Sequence, residues 1–98
     1  MIAAAVLAAQ LAYPMFDVAT NHRLAKAPSA VGALIERKAE CEHWAGEDPY
    51  DKARRREIEQ AVTALHCDRI DSDEAGLRRR YRASPAVLKL LDLSPDGG

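Results

Sequence analysis

The chain of 98 residues has two cysteines, five aromatic side chains and no charge surplus worth the name. Each shortage excludes something. No apolar run approaches the ~20 residues that a bilayer-spanning helix requires. No stretch alternates Val, Ile, Thr or Tyr with polar residues, so nothing reads as a strand. A formal net charge of −1 argues against an obligate polyanion binder, whose surface is normally basic. No glycine-rich loop is present to cradle a phosphate, and no motif couples a nucleophile to a base. What remains is a chain rich in Ala, Leu, Arg and Glu, the composition of helices. Its length fits one small domain, of a size that usually needs a disulfide, a metal or a partner for stability.

The first twelve residues, Met1 to Ala12, carry no charge and match the length of a signal-peptide apolar region. No Lys or Arg precedes the run, and no clean A-x-A site follows it. An Ala-rich helix packed on the domain is the competing reading; export is the expectation taken forward. Residues 13–28, bracketed by Pro14 and Pro28, read as a linker or extended arm, with Tyr13, Met15 and Phe16 placed to pack on the domain.

Residues 29–93 carry the helical signals. Ser29 is a good N-cap after Pro28, and Val31, Leu34, Ile35 and Ala45 share a stripe with Cys41 at its edge. Gly46 ends that helix. Asp48 with Pro49 behind it predicts the next start, with Asp51 at the third position and a run to about Cys67. Its apolar side is Ala53, Ile58, Ala61, Val62 and Leu65, and Asp51, Arg55 and Glu59 are spaced for an i, i+4 ladder. Cys67 falls off that stripe, so the helix must end or bend near it. Asp71 or Ser72 caps a third helix bearing Leu77 and Tyr81, with Glu74 and Arg78 paired. Ser84-Pro85 starts a short fourth with Val87, Leu88 and Leu91. Residues 94–98 read as a frayed tail. The expected fold is all-α, a small three- to four-helix bundle with one inter-helix disulfide.

The cysteines, Cys41 and Cys67, fall in or beside consecutive helices. In an exported protein they pair, which stabilises a loop of about 25 residues by ~3–4 kcal/mol on chain-entropy grounds. In a cytosolic protein they are two buried thiols. A simple antiparallel hairpin sets Cys41 against the wrong end of the second helix, so pairing demands a steep crossing or a bend. A zinc site from Cys41, His43, His66 and Cys67 is disfavoured, because residues two apart on a helix point ~200° away from each other. His22 has no partners for a site. The acids from Asp68 to Glu74 fail as a calcium loop, since Arg82 stands where the bidentate Glu belongs. No cofactor or metal is implied, and no enzymatic activity.

Trp44-Ala-Gly-Glu-Asp-Pro-Tyr50 is the unusual cluster. Trp44 and Tyr50 pack across a corner or, exposed, anchor an interface. Arg54-Arg55-Arg56 and Arg78-Arg79-Arg80 with Arg82 are dense in charge, although consecutive residues spread around a helix and the plainer reading is a solvated face neutralised by Asp51, Glu57, Glu59 and Glu74. Trp44, Tyr50, Arg54, Arg55, Arg78, Arg79 and Arg82 are therefore the candidate partner-binding residues.

The stretch from Cys67 to Tyr81, with Ile70, Asp73, Glu74, Leu77 and Tyr81 at helical intervals after a cysteine, resembles the core motif of the lysozyme-inhibitor-like family. The resemblance covers about fifteen residues. It implies an exported, helical, disulfide-linked periplasmic protein, although the gap between Cys41 and Cys67 is longer than that family's usual one. Lysozyme inhibition itself is not carried over. The resulting expectation is a periplasmic or secreted, non-enzymatic binding or inhibitor-like protein acting on a protein or an anionic envelope component. The alternative is a cytosolic nucleic-acid-binding module using both arginine clusters, which requires them to converge on one face.

Overall fold

A computed structural model describes residues 16–93. The twelve-residue apolar run, Tyr13 and Met15 of the arm, and the tail at 94–98 lie outside the described residues. Within them the chain is all-α, with five helices and one short 3-10 turn. The helices are α1 (Val18–Ala25), α2 (Ser29–Ala45), α3 (Lys52–Ala64), α4 (Ile70–Arg80) and α5 (Pro85–Leu91), and the 3-10 turn is Cys67–Arg69.

The count exceeds the expected three or four because of α1, which forms inside the segment read as a linker. Asp17 caps it, its carboxylate accepting from the Thr20 amide at 2.7 Å. Asn21 adds a side-chain bond to the Phe16 carbonyl at 3.1 Å. The helix is eight residues long and buries Leu24 alone, so no apolar period could register in the sequence. Leu24 is nonetheless only 2% exposed and joins the main core.

That core unites Leu24 of α1, Val31, Leu34 and Ile35 of α2, Ile70 of α4, and Val87, Leu90 and Leu91 of α5. Phe16, Cys41, Leu77, Tyr81, Leu88 and Leu93 close around it. The stripe on α2 differs from expectation at one end. Ala39 is buried and Ala45 is exposed, because the C-terminal turn of α2 runs on past the core.

The caps also moved. Pro28, not Ser29, stands at the N-cap of α2, and no side chain closes that end. Gly46 ends α2 in an ordinary right-handed conformation, φ −88°, its amide donating to the Glu42 and His43 carbonyls. The start of α3 slips from Asp48 to Asp51, whose carboxylate takes the Arg54 amide at 2.7 Å. Capping with Asp51 removes it from the expected ladder, and Arg55 makes no ion pair among the described residues. Neither Asp71 nor Ser72 caps α4. The 3-10 turn feeds directly into that helix at Arg69, and the Ser72 hydroxyl bonds back to the Arg69 carbonyl. At α5 the Ser84-Pro85 signal holds as read, with Ser84 taking the Val87 amide.

Helix α3 stands apart from all of this. Its thirteen residues bury no side chain fully, and Ile58, Ala61 and Val62 are partly covered.

Candidate functional site

Two clips hold α3 to α2, and between them they build the surface of interest. The C-terminal clip begins where α3 stops. His66 adopts φ 52° and ψ 49°, the left-handed region that reverses a helix end. The reversal swings Cys67 back to Cys41, and the two form the disulfide with their Cα atoms 5.7 Å apart. This bend is the one that pairing demanded. The orphan carbonyls that a helix end leaves are taken by Arg37 of α2. Its Nε donates to the Leu65 carbonyl at 2.8 Å and its Nη2 to the His66 carbonyl at 3.2 Å. The same Nη2 reaches Asp73 of α4 at 3.0 Å, so one guanidinium joins three helices.

The N-terminal clip is the corner around Trp44. α2 ends at Gly46, Pro49 cannot donate to continue a helix, and Asp51 restarts one. Arg54, in the first turn of α3, is thereby laid over the Trp44 ring with its guanidinium carbon 5.3 Å from the centroid. Arg54 bridges Glu47 at 3.2 Å and also bonds Glu57. Those bonds, Glu57's first, hold its pKa above the ordinary arginine value. His43 meets the Trp44 ring edge-on at 5.7 Å and lies 3.1 Å from Glu47. The expected packing partner of Trp44 was Tyr50. The structure gives that place to Arg54 and His43, and leaves Tyr50 72% exposed.

The remaining arginines go elsewhere. Arg78 pairs with Glu74 at 2.9 Å, as its i, i+4 spacing predicts, and with Asp92 at 2.6 Å. Glu74 also takes Lys38 of α2 at 2.9 Å. Burial pushes the Glu74 carboxyl upward, but the hydrogen bonds from Lys38 and Arg78 outweigh it and hold the group below the usual glutamate range. Arg79 and Arg82 are exposed, and Arg82 donates to the Arg79 carbonyl at 3.4 Å. The structure thus brings Trp44 and Arg54 together, leaves Tyr50 exposed in the loop that joins their helices, and ties Arg78 to Glu74 and Asp92.

Reading the sequence missed Arg37, Lys38 and Glu47. The first two find partners 28 to 36 residues away, which no local spacing reveals. Arg54 with Glu57 is an i, i+3 pair and was legible. Among the described residues no group of three His, Cys, Asp or Glu side chains could hold a metal ion, and no helix is long and apolar enough to cross a membrane. Comparison with protein-family models, with curated proteins and with solved structures gives no match to this chain.

Proposed function

We propose that this chain is an exported, non-enzymatic binding or inhibitor-like protein that engages a protein or cell-envelope partner through the α2–α3 corner. The observation that carries the reading is the Cys41–Cys67 disulfide, which fastens a helix with no buried side chain of its own. Such bonds form and persist outside the reducing cytoplasm. A small domain gains little core stability from an outlying helix, so the helix is held for what it presents. Trp44 beneath Arg54, with Tyr50 exposed in the loop that joins their helices, has the aromatic and arginine composition of interface anchors.

The nucleic-acid alternative is weakened by the carboxylates. Arg54 is matched by Glu47 and Glu57, and Arg78 by Glu74 and Asp92, so one residue from each cluster is already neutralised.

Protein from its native host tests the proposal. Fractionation and intact mass, with and without reductant and a thiol label, should find it outside the cytoplasm with both cysteines unreactive until reduced. Photocrosslinking from position 50 should then capture a partner that the double variant W44A/R54A fails to capture. Cytoplasmic protein with two labelled thiols contradicts export. A partner captured equally by W44A/R54A contradicts the corner.

A further inference from the structure

On a different part of the molecule, a cleft of about 520 Å³ opens between the end of α1 and the start of α5. Its size is within the range of small-molecule sites. Ala27, Val87 and Leu90 form an apolar floor, and Pro28 and Pro85 edge it. Val87 and Leu90 are core residues, so the floor is rigid. The polar groups on the lining are Arg23, Lys26 and Lys89, all exposed. Among the described residues no carboxylate lines the cleft, although acids outnumber Lys and Arg in the chain by 15 to 14. None of the three cations forms an ion pair among the described residues, unlike Arg37, Lys38, Arg54 and Arg78. Arg23 acts electrostatically on Asp17, but that carboxylate is already bonded to Thr20.

A floor without polar groups and a rim of one sign define the occupant by complementarity. We infer that the cleft is a binding site for a single-chain anionic amphiphile of the fatty-acid type, its carboxylate among Arg23, Lys26 and Lys89 and its alkyl chain on Ala27, Val87 and Leu90. A simple anion leaves the floor uncovered, and a neutral lipid leaves three cations unmatched. The alkyl chain supplies affinity through buried methylenes, and the cations fix which end lies where. This inference does not rest on the α2–α3 corner.

The test is an NMR titration of the full-length, disulfide-intact, ¹⁵N-labelled protein with sodium decanoate, kept below its micelle-forming concentration. Saturable shifts are expected at residues 24–28 and 85–90. Octanoate should bind about tenfold more weakly, the effect of two fewer buried methylenes. Decanol should bind several-fold more weakly than decanoate, and decyltrimethylammonium more weakly still. Two variants guard against a folding artefact. K26E/K89E reverses the rim, and Ala86→Glu adds a carboxylate in the first turn of α5, where helices tolerate acids. Each should cost at least about tenfold in decanoate affinity while leaving the shifts of Val31 and Leu34 unchanged. Acetate binding as tightly as decanoate overturns the proposal, because the floor is then idle. Decanol matching decanoate overturns it, because the cations are idle. Shifts that fail to saturate, or that centre outside the cleft, overturn it as well.

Discussion

The molecule is held together in two different ways. Around α1, α2, α4 and α5, stability comes from side chains removed from water, with Leu24, Val31 and Leu91 at 2% exposure or less. At α3 no side chain is buried to that degree, and the helix is retained by a disulfide, an arginine cap and an arginine–tryptophan stack. The difference teaches that a helix can belong to a fold without belonging to its core. The first kind of attachment is cooperative, since one core draws its side chains from four helices. The second is local, and each clip can be undone by itself.

The largest effect should come from the core. Leu91→Ala removes a side chain that is 1% exposed, and should lower global stability by about 2–5 kcal/mol in a denaturant titration, with all helices lost in one transition. A variant that lost α5 alone would show that the four core helices are less unified than described. Arg37→Ala, next in size, removes a cap on α3 and an ion pair to α4, and should cost about 1–2 kcal/mol. Hydrogen exchange should place most of that loss in the last turn of α3.

Glu74→Gln should cost about 1 kcal/mol at neutral pH, and the cost should depend on pH. The folded-state pKa of Glu74 is depressed, so its contribution is present above the unfolded-state pKa and is lost as pH falls through the folded one. Wild type and variant should therefore converge in acid. Glu36 runs the other way, because burial and then neighbouring Glu40 raise its pKa. Its ionised form disfavours folding, so Glu36→Gln should stabilise at neutral pH, with a gain that vanishes in acid. The smallest effect should be Ile58→Ala on partly covered α3, under about 1 kcal/mol and confined to that helix.

How much of this was readable beforehand follows the same division. The stripe of Val31, Leu34 and Ile35, the Ser84-Pro85 start and the Glu74–Arg78 pair are local patterns, and each stands as read. The break before Cys67 was legible because that residue falls off the apolar stripe, although no residue type announced His66 as the left-handed one. α1 escaped because a short helix with one buried residue has no period to detect. The start of α3 slipped by three positions because Asp48 and Asp51 offer equally good caps, and contact with Trp44 lies outside any local rule. Of the candidate residues, Trp44 was expected to pack on Tyr50 and meets Arg54 and His43 instead. Arg37 was invisible because what it touches lies at least 28 residues further along.

Amide hydrogen exchange before and after reduction of Cys41–Cys67 tests most directly whether α3 is clipped on rather than packed in. On chain-entropy grounds the bond stabilises its loop by ~3–4 kcal/mol, a factor of several hundred in an opening equilibrium. The expected result is that protection at Arg56 to Ala64 collapses on that scale, while amides of Leu34, Ile35 and Leu90 change by no more than a few fold. Uniform loss of protection across α2, α3 and α5 would contradict the account, because it would make α3 part of the same cooperative unit as the core.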